Sequence, residues 1–401
     1  MSAGRALAGV VAPIYLAERG LSGLKLGEIF VVVALLSAIF STIVGVLSDR
    51  VGRRPFLIIF PLLTALAGLV FALSSTTILL VLAAGMGSFG RGAGAGAGAV
   101  GPYQPAESAL VTEIISDRWR NAAFGRLAFG SALGALLGSL LATLSNGHVQ
   151  HGVALIGEFR IAFFATAIVS LIAAFLALFI HEPTRPIRPI SGEKRSKFPV
   201  RSRTLLMRLW ATNSVNGLAV GMIGPFITYW FYKRYGATPA SIGLLFAIVN
   251  LFTLVSTLSA AGLARRWGLI KIVVAVRTLQ AILLVPMALA PNFLLAGGIY
   301  LVRMVVQRAG MPLRQSYVLA MADPQERASV AAISNVPTQI AMGVGPMVTG
   351  YLFDEVSLSL PFELAGLLQL INAGMYWVFF RNLPPSEELD AQNTSNSDRV
   401  E

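Results

Sequence analysis

Apolar stretches of about 20 residues recur from one end of this chain to the other, each long enough to cross a hydrocarbon layer of about 30 Å as a helix. They fall at 3–19, 25–47, 56–74, 77–101, 122–145, 159–180, 205–232, 239–263, 270–290, 292–320, 328–352 and 361–380. Inside lipid no water can bond an open backbone, so segments of this length must close their hydrogen bonds as helices. The expected fold class is therefore an all-α polytopic membrane protein with twelve transmembrane helices.

Composition agrees. Of the 401 residues, 55% are hydrophobic and 12% are charged, about half the charged share of a soluble domain. The absence of cysteine excludes disulfides, thiolate metal sites and cysteine nucleophiles. His148, His151 and His181 lie near helix ends or loops, so no histidine metal site is expected, and no cofactor is implied. No small-residue cleavage site follows the first apolar stretch, which speaks against a cleavable signal peptide.

The net charge of +12 reads as cationic loops on one membrane face rather than as a nucleic-acid surface. With the N-terminus inside, the outer loops hold Arg19, Lys25, Arg160, Lys233 and Arg234, and most other cations fall inside. Both termini are then cytoplasmic, in the inner membrane. The longest break, "HEPTRPIRPISGEKRSKFPVRSR", carries four prolines and no apolar period. It reads as a cytoplasmic linker, 181–203, between bundles 1–180 and 204–381. The polar tail, 382–401, is expected to be disordered.

The two halves repeat. Pro13 in "VAPIYL" corresponds to Pro225 in "IGPFIT". Arg50 and Gly52 correspond to Arg266 and Gly268 at one offset, and Pro105, Arg120 and Gly138 to Pro312, Arg327 and Gly345 at a shorter one. Several matches in one order indicate an internal duplication, and two such bundles of hydrophobic helices are a transporter architecture. The offset shrinks across the run "GRGAGAGAGAVGP", Gly90 to Pro102, so the first half has extra residues there. An open β segment in lipid would leave backbone groups unpaired. The run is therefore expected to be a distorted, closely packing part of the fourth helix.

The stretch "GVLSDRVGRRP", Gly45 to Pro55, resembles the signature loop between helices two and three of the major facilitator superfamily, with every fixed position met. An arginine before a Gly-rich stretch in helix four is similar to the family's second motif. "GSALGALLGSLL" in helix five has the glycine spacing of the antiporter motif without its Gly-Pro step, whereas "GVGP" in helix eleven has that step. The resemblance covers residues 1–381. It implies two pseudo-symmetric six-helix bundles, alternating access, and a central cavity between the halves. No phosphate-binding Gly-x-x-x-x-Gly-Lys-(Ser/Thr) is present to drive a pump with ATP.

Gly52 permits a tight reversal, and Asp49 can pair with an arginine or face the positive end of another helix. The resemblance implies that Gly45, Asp49, Arg50, Gly52, Arg53 and Arg54 lock the cytoplasmic side when the cavity opens outward. Glu113, where the family often has an acid, is expected to join them. The alternative is that the arginines only anchor topology. The second-half loop has Ala264 and Arg265 in place of the aspartate, so the lock is expected to be asymmetric.

Cations inside spans are costly unless they snorkel to an end. Arg5 and Arg277 are near enough to the cytoplasmic ends for that. Arg91 and Arg303 sit deeper, at roughly equivalent places in the two halves, with Arg308 one turn away from Arg303. These are candidates for the cavity, as is Glu107, either as a proton-carrying carboxylate or as a partner of Arg303, Arg308 or Arg314. Polar candidates on apolar helices are Tyr15, Asn213, Asn216, Tyr229, Asn250, Gln307, Gln315, Asn335 and Gln339, for which helix–helix bonding is the competing role. Trp230 and Tyr232 read as interface anchors.

The expected function is secondary transport of a small organic molecule, with efflux of a drug-like compound or metabolite in exchange for protons. The other readings are an organic-anion carrier using the intramembrane arginines and a transport-inactive receptor or scaffold. No nucleophile–base constellation suggests an enzyme. The partners are then a small-molecule substrate, protons and the lipid bilayer, and the chain is expected to be a monomer.

Overall fold

The computed structural model of the protein describes residues 1–89, 101–115, 117–145, 156–182, 202–267, 269–321, 330 and 333–381. Among these residues there are fourteen helices and no strand. They are α1 (Ser2–Glu18), α2 (Gly23–Val51), α3 (Arg54–Leu73), α4 (Thr77–Gly87), α5 (Gln104–Ile114), α6 (Asp117–Ala142), α7 (Ile156–Ala177), α8 (Arg203–Ile223), α9 (Ile227–Tyr235), α10 (Pro239–Trp267), α11 (Leu269–Leu289), α12 (Phe293–Met321), α13 (Val336–Glu355) and α14 (Leu360–Phe380).

Five of these contain stretches long and apolar enough to span a membrane by themselves: Gly23–Gly45, Arg54–Leu73, Ala123–Ala142, Phe159–Ala177 and Ile270–Leu289. Large apolar side chains stay exposed along them, such as Leu35 and Ile39 on α2 and Ile168 and Phe175 on α7. That is the surface a lipid solvent covers.

The two repeated prolines behave differently. Pro13 lies inside a continuous α1. At Pro225 the expected seventh helix breaks into α8 and α9 around a turn at 224–226. A residue preceding proline avoids the α region, and here that residue is Gly224, itself a weak helix former. The Gly-Ala run at 90–100, the linker from 183 to 201 and the tail from 382 lie outside the described residues.

The described chain forms two compact units, and these cut across the two repeated halves. One unit holds residues 1–188, 222–254 and 346–361. Its centre is α1, buried from Gly4 to Ala17. Small residues let neighbours press onto it. A Cβ on Gly138 of α6 would strike the Ala3 carbonyl, and one on Gly4 would stand 2.7 Å from the Ser170 Oγ of α7. The glycines of the antiporter-like stretch, Gly134 and Gly138, thus serve as the seat of α1. Beside it the rings of Tyr15, Phe71 and Phe163 interlock, with centroids 4.9 Å apart for Phe71–Phe163 and 5.2 Å for Tyr15–Phe163.

The other unit holds residues 189–221, 255–345 and 362–401. Here the corresponding pair is α8 against α13. A Cβ on Gly217 would stand 2.5 Å from the Thr338 carbonyl, and one on Gly221 would stand 2.6 Å from that of Met342. The Asn213 amide donates to the Ser334 carbonyl at 2.6 Å and the Trp210 indole N–H donates to Ile333 at 3.1 Å. The same contact recurs in both halves, but the glycines sit on the fifth helix in the first and on the seventh in the second.

Gly221→Val should therefore lower the thermal unfolding temperature of the detergent-purified protein sharply. Gly374→Ala, where a Cβ would meet nothing within 4 Å, should hold or raise it slightly, because alanine favours the helix by up to about 1 kcal/mol. Equal melting of the two variants would refute the packing account.

Candidate functional site

The turn between α2 and α3 is built around Gly52. Its φ of 104° is open to glycine and strained for other residues. Space matters too, since a Cβ there would stand 3.0 Å from Glu182 Oε2. Gly52 closes α2 by donating its N–H to the Ser48 carbonyl at 3.2 Å. Pro55 then occupies the first turn of α3, where its missing N–H costs nothing.

The start of α3 leaves free N–H groups with a positive partial charge. Glu182, just past α7, supplies the counter-charge. Its carboxylate accepts from the Arg53 N–H at 2.9 Å and from the Arg54 N–H at 3.0 Å. The Arg54 guanidinium donates to the Leu178 carbonyl at 2.5 Å, tying the same two segments. The Arg53 side chain turns the other way. It is 7% exposed and pairs with Glu113 of α5 at 2.6 Å. Arg53 thus joins α3 to α5 while its own N–H joins α3 to α7. Beneath it Val44, Phe56, Phe60, Tyr103 and Ala106 form an apolar cluster.

Glu113, expected beside the signature loop, pairs with Arg53 of that loop. Glu182 was missed: it lies in the stretch read as linker. The available signal was an acid at the exit of the sixth span, just before Pro183. The role anticipated for Asp49, an acid facing a helix N-terminus, is held by Glu182 for α3. Asp49 and Arg50 lie on the last turns of α2, with side chains outside the described set. Gly45 faces open space.

The intramembrane candidates scatter over several roles. Arg91 lies outside the described residues. Glu107 is half-buried in the first turn of α5. Tyr15 is an aromatic core residue, with the Arg19 guanidinium 4.9 Å from its ring centroid. Asn213 bonds α8 to the segment before α13, as given above. Asn216 accepts from Arg277 of α11 at 3.0 Å. That arginine also bonds Asn372 of α14 and lies 4.4 Å from the Tyr376 ring centroid. Asn250 donates to the Phe246 carbonyl at 2.9 Å and to Ser139 Oγ of α6 at 3.4 Å. Tyr229 stacks on Phe353 at 5.8 Å. Asn335 and Gln339 are exposed at the start of α13.

Arg303 is 3% exposed on α12, with its Nε unpartnered and Nη1 beside the Met304 sulfur. Arg308 is half-buried on the same helix. Three expectations need correction. Arg5 does not snorkel: it is 3% exposed, beside Gly101 and Tyr103. Arg277 is held by amide oxygens and a ring instead of reaching an end. Trp230 is fully buried instead of lying at an interface, and the Tyr232 hydroxyl bonds Glu18.

The family model described as Major Facilitator Superfamily matches residues 1–213 and again 209–399. The chain is similar to the multidrug resistance protein MdtG of Proteus mirabilis, at 23% identity over 92% of this chain and 90% of that one. It is 26% identical to MdtG of Rahnella sp. over 92% and 88%. Among solved structures it resembles a bacterial homolog of the human lysosomal transporter Spinster, inward-facing and occupied. The TM-score is 0.71 at 15% identity, covering 95% and 94% of the two chains. It resembles a D-xylose–proton symporter equally well, with a TM-score of 0.71 at 15% identity and 94% of each chain covered.

Glu182→Ala removes the acceptor for two N–H groups at once. Losing a helix cap of this kind costs about 1 kcal/mol, so the purified variant should melt earlier and Glu182→Gln should fall between. An unchanged melting temperature for Glu182→Ala would refute the capping role.

Proposed function

The chain belongs to the Major Facilitator Superfamily, and on that premise we propose that it exports a small drug-like organic molecule or metabolite by alternating access, in exchange for protons. The observation that carries the reading is the likeness to multidrug resistance proteins along some nine tenths of both chains. The bonding of Arg53 and Arg54 at the α2–α3 turn to Glu113 and Glu182 supports a carrier. We place the transporter in the inner membrane, as a monomer with both termini cytoplasmic. Its bundles run from 1 to 180 and from 204 to 381, and Glu182 fixes the start of the linker to the first bundle. In this reading the Arg53–Glu113–Glu182 cluster is the rigid part of the cytoplasmic lock, and Asp49 and Arg50 stand next to it in sequence.

A second reading has one observation in its favour. Arg303 is a buried cation whose Nε has no partner among the described residues, and burying such a group is costly unless something completes it. An organic anion would do so.

Reconstitution in proteoliposomes with an imposed pH gradient separates the two. Cationic and neutral amphiphiles should move against their gradient when protons flow the other way, and collapsing the pH gradient should cut this at least about tenfold, the size of a 1.4 kcal/mol difference. Gradient-independent movement would remove proton coupling. Transport restricted to anions, and abolished in Arg303→Gln but kept in Arg303→Lys, would replace the efflux reading with the anion reading.

A further inference from the structure

The N-terminus of α2 is completed by a residue more than three hundred positions away. Ser22 caps α2, its hydroxyl accepting from the Lys25 N–H at 3.4 Å and its carbonyl from Leu26 at 3.0 Å. That leaves the N–H groups of Gly23 and Leu24 without a local acceptor. Asp354 takes both. Its Oδ1 accepts from Gly23 at 2.8 Å and its Oδ2 from Leu24 at 2.8 Å.

Asp354 lies in the last turn of α13. An acid there opposes the negative end of its own helix dipole, so its own helix gives no reason for it. The positive end of α2 does. Glu18 repeats the pattern: it closes α1, where an acid is again unfavourable, and it accepts the Tyr232 hydroxyl of α9. Glycines bring the backbones together between these clasps. A Cβ on Gly27 would stand 2.6 Å from the Pro346 carbonyl, and Gly23 and Gly350 approach each other too closely for any side chain. Phe30, Phe226 and Phe353 fill the space behind, with centroids 5.2 and 5.3 Å apart.

All of these groups lie in one compact unit, at the end of α2 opposite the α2–α3 turn. Each clasp joins a helix of the first half to one of the second. Glu182, by contrast, ties α7 to α3 inside the first half. The contacts within a half can survive alternation; those between halves must break when this side opens. We infer that Asp354 is a positioning residue of the transport cycle, its carboxylate latching α13 to the N-terminus of α2 and holding this side of the carrier closed. The inference rests on the alternating-access reading, but its test needs no substrate.

The chain contains no cysteine, so Ala17→Cys introduces a single thiol. Ala17 is 7% exposed at the latched end of α1. In sealed vesicles of both orientations, its labelling by a membrane-impermeant maleimide should be slow. Adding Asp354→Ala should speed it by about tenfold, the weight of a doubly bonded charged cap. Leu24→Pro removes one donor at a helix position that tolerates proline, leaves the carboxylate intact, and should shift labelling the same way by less. Ala106→Cys, fully buried at the other end, serves as the reference and should not change. Unaltered labelling at Ala17→Cys in a folded Asp354→Ala variant would overturn the latch. If that variant fails to fold, unaltered labelling in Leu24→Pro overturns it instead. Equal acceleration at Ala106→Cys would show general loosening and overturn it too. Failure of the substrate panel alone would leave these outcomes readable.

Discussion

In a hydrocarbon layer every backbone N–H and C=O must find its partner within the protein. That constraint makes each long segment here a helix, and it makes helix ends the only places where backbone bonding capacity is left over. The first turn of a helix offers up to four such donors. This chain meets them with carboxylates brought from elsewhere: Glu182 at the start of α3 and Asp354 at the start of α2. An ionised acceptor bonds about twice as strongly as a neutral one, so a few acids fix the positions of whole helices. The chain has only 19 acidic residues, and those at the helix ends carry much of its specific long-range bonding.

Cations are used differently. The interiors of the bundles hold Arg5, Arg277 and Arg303, and none of these has a carboxylate among its described hydrogen-bond partners. Arg277 shows how such a charge is tolerated: two asparagine oxygens and an aromatic face surround it. A guanidinium suits this, because it is weakly hydrated and stacks on rings. Buried hydroxyls are satisfied more simply. Thr64, Ser139, Thr166 and Thr212 each return a hydrogen bond to a carbonyl one turn earlier on their own helix.

Much of the architecture was legible in the sequence because hydrophobic length is a local signal. Most of the expected spans have a matching helix, and the duplicated motifs mark the two halves. The signature turn was legible for the same reason: Gly52, Pro55 and the arginines lie within a few residues of one another. Proline marks the break at Gly224-Pro225, yet Pro13 lies inside a continuous, buried α1. What the sequence did not reveal was pairing across distance. Glu182 and Asp354 look like ordinary loop-side acids until the helix ends they meet are known. Asn213 and Asn216 share one face of α8, as their spacing suggests, but one bonds the Ser334 carbonyl and the other accepts from Arg277. Arg5 looked close enough to an end to snorkel, whereas α1 is buried from Gly4 to Ala17 and leaves Arg5 3% exposed.

The two halves repeat in sequence, and the differences between them bear on how such a carrier could move. Within each half the first helix is clamped to the fifth by backbone contact at small residues, α1 on α6 and α8 on α13. That contact has little room to slide, because a single methyl group would block it. Each such pair is thereby held rigid, which leaves the seams between the halves as the other set of contacts. On the side where Asp354 meets α2, the seam is held by a charge at a helix end, by glycine backbones, by one hydroxyl and by the Phe30–Phe226 ring contact. The polar contacts among these are directional, so they can be made and lost together. The described bonds of Glu182 at the α2–α3 turn tie segments of the first half, and the turn's aspartate has no counterpart in the second-half loop. Asp354 at α2 and Glu182 at α3 thus use one device, a carboxylate brought to a helix N-terminus, but the first joins the two halves and the second joins segments of one half.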